Sequence, residues 1–392
     1  MINVNKLRST LDRHSAPATA AVLAAAAILL VAHALWRPPQ DAGPDGETYL
    51  RLGARAAEAG LWECGNFDRA YWSPGWVSTI GIIHRLFGPR PIAVRLALIA
   101  AALATAWLTW VMASRLAGRC AAVVAAGLFL FSTLVFRFTA YYQYEIPLAL
   151  LTAGAGCLLF FTPSKKLRTV AIFATMGGAT LGIAALYSPR VLALFPVIAT
   201  GVLVRGGGRR IVAALAALLA GIALVLLPWT LRNHRCFDRW IVTTTNGGIN
   251  LYIGNNPSST GGYYLPPEGE RPSYAFQESG RWIREAVGYA AGHPGQTLAR
   301  TGVKALKFWN PHHGDQFLVL VLFLLGWVRL ARAGRIWDTR LIWVVGVPIV
   351  ITLVHAVFFV QVRYMIPVLP MVCVVAAAGT CGWHGGEPGN VT

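Results

Sequence analysis

Charge is what this sequence has least of. Only 13% of its 392 residues are Asp, Glu, Lys or Arg, where an ordinary soluble domain carries roughly 25%. Hydrophobic residues make up 56%, and the mean hydropathy is +0.54. Acid is scarcer than base: 16 Asp and Glu stand against 34 Lys and Arg, a formal net charge of +18. The six cysteines form no disulfide framework and no CxxC pair of the kind that holds zinc. No GxxxxGK[ST] run and no strand-borne GxGxxG occurs, so neither an ATPase nor a nucleotide-sugar Rossmann domain is indicated. These absences exclude a cytosolic enzyme, a disordered chain and a secreted disulfide scaffold. Nucleic acid is not an expected partner, because no basic helix or aromatic-basic module stands out. The basic residues fall between apolar blocks, as topology signals and contacts to membrane lipids do.

What is present is a series of apolar blocks of membrane-spanning length. They fall at about 16–36, 92–114, 120–136, 146–162, 169–187, 189–204, 211–231, 316–328, 341–360 and 364–381. The pattern predicts an all-α polytopic integral membrane protein with about ten transmembrane helices. The stretch Trp76–Phe87 is too short to cross a ~30 Å core at about 1.5 Å per residue, so it reads as a helix lying in the interface. Leaving it out of the count puts Arg115/Arg119, Lys165/Lys166/Arg168, Arg205/Arg209/Arg210 and Arg329/Arg332/Arg335 on the cytoplasmic side, with Lys6, Arg8 and Arg13. Counting it would export those clusters, against the positive-inside bias. The same bias splits 169–204 into two spans at Ser188-Pro189-Arg190, since Pro189 suits an outer turn.

This topology places thirteen of the sixteen acidic residues outside, all but Asp12, Asp338 and Glu387. The chain divides into an N-terminal membrane module (1–231) with a long first external loop (37–91), an extracytoplasmic segment (232–314), and C-terminal spans with a short cytoplasmic tail (315–392). Apart from Arg95 and Arg190, each near a span end, the expected spans hold no Asp, Glu, Lys or Arg, which argues against an ion-coupled transporter. The polar chemistry is expected at the outer face.

Asp45 and Glu47 begin a helix expected over 47–60, just after the first span. A carboxylate there can take a proton from an acceptor hydroxyl, or it can serve the helix N-terminus. Glu145 ends Tyr141-Tyr142-Gln143-Tyr144-Glu145, whose aromatics suit an interface belt or sugar stacking. Its other role would again be a helix start, with Pro147 in the first turn. Phosphate-holding candidates at outer span ends are Arg190, Arg232 and Arg363, with Lys304 and Lys307 on the approach to the eighth span. Each can equally be a snorkelling anchor. Cys64 and Cys236 are the cysteines placed outside; an oxidising compartment could pair them, and free thiols are the alternative. His84, His312 and His313 read as interfacial polar residues rather than metal ligands.

Several of these stretches resemble the GT-C membrane glycosyltransferases, in the branch of protein O-mannosyltransferases and the lipid A aminoarabinose transferase. Asp45-Gly46-Glu47-Thr48-Tyr49, Tyr71-Trp72-Ser73-Pro74-Gly75-Trp76 and Leu86-Phe87-Gly88 look like that family's first external loop, with juxtamembrane helices. Pro228-Trp229-Thr230-Leu231-Arg232-Asn233 and the run from Thr244 through Asn246-Gly247-Gly248 to Gly254-Asn255-Asn256-Pro257 are similar to the segments that follow. Lys307-Phe308-Trp309-Asn310-Pro311 and Arg363-Tyr364-Met365-Ile366-Pro367 close the pattern. The resemblance implies transfer of a sugar from a polyprenyl-phosphate donor to an extracytoplasmic glycan, lipid or protein, with inversion, at a bacterial inner membrane. It implies Asp45 as base, with Glu47 its rival because Gly46 separates a usually adjacent acid pair, and Glu145 as second acid. Arg363, Arg190, Lys304, Lys307 and Arg232 would serve the donor phosphate. Tyr49, Tyr142, Asn246, Asn250, Tyr252, Asn255 and Asn256 would serve sugar or acceptor, although Asn246–Asn256 could equally form a tight turn against the membrane. No cofactor is implied, and metal dependence stays open. The alternative activity is a flippase for polyprenyl-linked sugar, which would need no base.

Overall fold

The computed structural model describes residues 15–37, 43–60, 62–64, 70–162, 166–205, 207–264, 278–334 and 337–381. Lys6, Arg8, Asp12, Arg13, Lys165, Arg335 and Glu387 lie outside them. In chain order the helices are α1 (Ser15–Trp36), α2 (Gly43–Ala59), α3 (Pro74–Phe87), α4 (Pro91–Ala117), α5 (Arg119–Leu130), α6 (Thr133–Phe138), α7 (Glu145–Phe160) and α8 (Leu167–Tyr187). They continue as α9 (Phe195–Arg205), α10 (Arg209–Phe237), α11 (Gly247–Gly254), α12 (Ser279–Gly292), α13 (Pro294–Trp309), α14 (Gly314–Arg332), α15 (Leu341–Val357) and α16 (Leu369–Cys381). Short 3₁₀ turns lie at Pro189–Leu194 and Val362–Met365. Among the described residues the only strand-like pairing is one parallel bridge, Gly262 to Val360.

Five helices, α1, α4, α8, α10 and α14, are long and apolar enough to cross a membrane, and α5, α7, α15 and α16 are shorter apolar helices. With α9, each of the ten expected spans is a helical segment. Ile28, Val212 and Leu224 are about 70% exposed, the surface that a hydrocarbon solvent accepts. The chain breaks after Ser188 as expected, because Pro189 has no N–H with which to continue α8. The expected span 120–136 is interrupted, which hydropathy did not show. Ser132 is an extended N-cap whose hydroxyl accepts the Leu134 N–H at 3.3 Å. Asp315, in the first turn of α14, accepts from the Thr133 N–H and hydroxyl, both at 2.9 Å. Local capping thus starts α6 inside an apolar run.

Small residues let the bundle close. A Cβ on Gly178 of α8 would stand 2.1 Å from the Leu218 carbonyl oxygen of α10, and one on Gly221 would stand 2.2 Å from the Thr175 oxygen. Between apolar helices in lipid, close backbone approach is a main source of packing energy. Gly221→Val is therefore expected to lower stability by about 1–3 kcal/mol, read as a lower thermal midpoint in detergent; an unchanged midpoint would deny the α8–α10 contact. α16 forms the bundle centre: all of it but Thr380 is buried, against α14, α5 and α4.

Arginines tie one end of the bundle together. Arg205 donates to the Leu159 and Phe160 carbonyls at 2.9 and 2.7 Å and to the Thr339 hydroxyl at 2.9 Å. Arg340 pairs with Asp338 and reaches the Arg115 carbonyl at 2.5 Å, and Arg329 reaches the Gly379 carbonyl. These ends belong to the loops expected on the cytoplasmic side. At the opposite end α2 and α3 pack on each other, and α3 buries Trp76, Val77, Ile80 and Ile83. Leu86 and Phe87 stay 70% and 63% exposed, as befits an interfacial helix.

Cys64 and Cys236, 172 positions apart, form a disulfide joining the first external loop to the end of α10. Arg232 reinforces the junction. Closing so long a loop is worth about 5 kcal/mol in the chain-entropy picture. Reductant should lower the thermal midpoint clearly, and alkylation without reductant should label neither thiol; labelling of both would show the pair open.

Candidate active site

Three segments distant in sequence bring opposite charges together at the end away from the arginine ties. Asp45 lies in the first turn of α2, where a carboxylate also faces the positive helix end. Glu145 is the first residue of α7, and Arg363 sits on the 3₁₀ turn before α16. Arg363 Nη1 donates to Asp45 Oδ2 at 2.8 Å and to Gln143 Oε1 at 2.6 Å. Its Nε stands 3.3 Å from Glu145 Oε1. The Glu145 side chain is fully buried, that of Arg363 is 16% exposed and that of Asp45 39% exposed. Burial works against the Arg363 charge, but Glu145 first, then Tyr364 and Asp45, raise its pKa well above the usual value.

Asp45 and Glu47 are thereby told apart. Residues two positions apart in a helix point about 200° apart around the axis, and Glu47 is exposed while Asp45 faces the cluster. One turn on, Tyr49 is buried with edge-to-face contacts to Trp72 at 5.1 Å and Tyr144 at 5.9 Å. Burial, then Tyr144 and the two carboxylates, hold the Tyr49 phenol well above its usual pKa. Burial pushes Tyr144 up to about 12. Both hydroxyls stay protonated beside the acids.

The cluster opens onto a cavity of about 680 Å³ lined by Arg37, Arg137, Tyr141, Gln143 and Arg363 among others. Arg37 Nη1 and Arg137 Nε both donate to the Tyr141 hydroxyl, at 3.4 and 3.2 Å. Both guanidinium groups lie within 5.5 Å of its ring centre. Burial alone would raise the Tyr141 pKa, but the hydrogen bonds from Arg37 and Arg137 outweigh it and lower it. Arg37 and Arg137 were not among the sequence candidates, because basic residues flanking spans look like anchors. Their signal was the i, i+4 spacing of Arg137 and Tyr141 at the end of one span.

Other sequence candidates are engaged elsewhere. Arg190 donates through Nε to Ser188 Oγ at 2.7 Å, through Nη1 to His355 Nε2 at 2.7 Å and through Nη2 to Tyr144 Oη at 3.2 Å, and lies over the Tyr364 ring. It braces the tyrosines around the cluster. Arg232 donates to Asn233 Oδ1 at 2.8 Å and to the Trp62 and Glu63 carbonyls, bracing the chain beside the disulfide. Lys304 is buried, and its ammonium donates to the carbonyls of Gly254, Val357 and Phe358 at 3.2, 3.1 and 2.9 Å. Burial, with Arg300, lowers its pKa to about 8. Lys304→Met would strand three carbonyls where α11 and α15 end, and a loss of about 2–3 kcal/mol is expected, read by thermal unfolding; a midpoint matching wild type would contradict it. Lys307 is exposed and donates to the Thr260 carbonyl at 2.7 Å.

The Asn-rich run forms the short helix α11 with Asn246 before it and Asn255 and Asn256 after it. Asn246 accepts from Thr244 at 2.9 Å and Asn250 lies within α11. Asn255 donates to Leu251 and Val357 carbonyls, and Asn256 to those of Tyr252 and Ile253 while accepting the Ser258 N–H. The helix end is thus capped by its own asparagines, and Tyr252 packs on Trp282; none of the five lines the cavity. Tyr142 is likewise fully buried, with Arg95 over its ring and its carbonyl accepting from Trp76 at 2.7 Å. Its φ of 55° is strained for a bulky residue.

No protein-family model matches the sequence, and no curated protein matches it. Solved structures do. ArnT from Cupriavidus metallidurans bound to undecaprenyl phosphate superposes with a TM-score of 0.61 at 16% identity, over 92% of this chain and 59% of that one. The oligosaccharyltransferase AglB from Archaeoglobus fulgidus, in complex with an inhibitory peptide and a dolichol-phosphate, superposes with a TM-score of 0.55 at 13% identity, over 92% of this chain and 50% of that one. The chain thus spans between half and three fifths of the length of these proteins. It shares the membrane fold of these structures, as the sequence resemblance led one to expect.

Proposed function

We propose that the protein transfers a sugar from a polyprenyl-phosphate donor to a hydroxyl-bearing acceptor, at the membrane face opposite the arginine ties. The positive-inside bias makes that face extracytoplasmic, and the Ala- and Arg-rich composition favours a bacterial inner membrane. The catalytic first loop then belongs to the module 1–231, with 232–314 outside and 315–392 supplying the C-terminal spans and a short cytoplasmic tail. The observation that carries the reading is the Asp45–Arg363–Glu145 cluster, whose arginine lines an open cavity shared with Arg37 and Arg137. The fold-level neighbours bound to undecaprenyl phosphate and dolichol-phosphate support the donor class.

Asp45 is the base. As the acceptor oxygen bonds to the anomeric carbon, its proton passes to Asp45 and the bond from that carbon to the phosphate oxygen breaks with its electron pair. The configuration inverts. The lipid phosphate leaves as an anion stabilised by guanidinium groups, so no acid need protonate it; a glycosidase by contrast pairs an acid with its base. Glu145 holds Arg363, and through it Asp45, in place. The test is purified protein in lipid nanodiscs with a panel of labelled polyprenyl-phosphate sugars and membrane extract as acceptor. Transfer of label from at least one donor is expected. Donor that changes leaflet without being consumed would replace the transferase with the flippase.

A further inference from the structure

Resting on the transferase reading, we infer that Arg37 and Arg137, bridged by the Tyr141 hydroxyl, form the seat of the donor's phosphate, and that Arg363 positions the carboxylates instead. The expectation drawn from the family resemblance gave the phosphate to Arg363. Its surroundings argue otherwise. Its Nη1 contacts Asp45 and its Nε stands beside Glu145, so a phosphate on that guanidinium would meet two carboxylates at close range. Like charges at such distances repel by several kcal/mol at the dielectric of a protein surface.

The reaction geometry gives a second argument. In an inverting displacement the base and the leaving oxygen lie on opposite sides of the anomeric carbon. A base about 3 Å from the hydroxyl, and a hydroxyl oxygen about 3 Å from the carbon, put the leaving oxygen roughly 6–7 Å from Asp45. A guanidinium 2.8 Å from Asp45 is on the nucleophile's side.

Arg37 and Arg137 line the same cavity. Arg137 is exposed and, among the described residues, holds Tyr141 through Nε and makes no ion pair with a carboxylate. Arg137 presents a planar fork suited to phosphate oxygens, beside the phenol that Arg37 also holds. Their height fits a lipid: Arg37 directly follows the last residue of α1 and Arg137 lies on the short helix that ends the third span. A phosphate whose prenyl chain lies in the membrane sits at that level.

The test measures undecaprenyl phosphate binding to the purified protein in nanodiscs, with phosphatidylglycerol as competitor. Arg37→Gln and Arg137→Gln should each weaken binding at least tenfold, and Tyr141→Phe, which keeps the ring, several-fold. Arg363→Lys should bind within about threefold of wild type while kcat falls at least tenfold, the split that marks a positioning residue. Both glutamine variants binding as wild type, or Arg363→Lys losing binding to the same extent, would overturn the assignment alone. Equal competition by phosphatidylglycerol would make the pair a general anionic-lipid anchor and also overturn it. No binding by wild type would bring down the transferase reading as well.

Discussion

Arg363→Met is expected to destabilise the protein by about 3–5 kcal/mol, the usual cost of stripping the partner from a buried charge. The Glu145 carboxylate is fully buried and neither of its oxygens has a hydrogen-bond partner. Its compensation is the Arg363 guanidinium at 3.3 Å. Removing the cation leaves a bare carboxylate at the start of α7 and releases Asp45 from its tether. Adding Glu145→Gln should restore most of the stability, because the amide needs no counter-charge, but it should not restore turnover. Thermal unfolding in one detergent reads both variants. A single variant that melts with wild type would show that the buried pair does not hold the three segments together.

Asp45→Asn is expected to lower turnover by about 10²–10⁴-fold, the range for loss of a positioned general base. The fold should survive, since the asparagine oxygen can still accept from Arg363 in the geometry of the 2.8 Å contact. Binding of undecaprenyl phosphate should stay within about threefold, because the phosphate is held at the other side of the reacting carbon. Single-turnover transfer alongside equilibrium binding separates the two effects. A loss below tenfold would remove Asp45 from the chemistry.

Much of the membrane architecture was legible in the sequence because burial in lipid writes itself as long apolar blocks. The break at Ser188-Pro189 and the interfacial placing of Trp76–Phe87 followed from one missing N–H and one insufficient length. The start of α6 was not legible, since the Ser132 cap lies within an apolar run and the Asp315 that adds to it by accepting from Thr133 is far along the chain. Asp45, Glu145 and Arg363 could be singled out as charges at outer ends, and the structure brings them together. Telling Lys304 and Arg232 from Arg37 and Arg137 was beyond the sequence. All four are basic residues at or near span ends, and what differs is tertiary: carbonyls meet the first two, and a cavity lies before the others. Asn255 and Asn256 are a like case, their amides being taken up by carbonyls at the helix end they follow and, for Asn255, by Val357.

Sugar transfer at the α2 face that Asp45 presents to Arg363 is checked by comparing Asp45→Asn with Glu47→Gln, side by side, for transfer of labelled sugar from a polyprenyl-phosphate donor. Near-complete loss is expected in the first and turnover within about twofold of wild type in the second, since Glu47 lies on the opposite side of the helix and its loss touches no charge in the cluster. Loss in Glu47→Gln with activity kept in Asp45→Asn would contradict that placement, and would move the reaction off the cavity altogether.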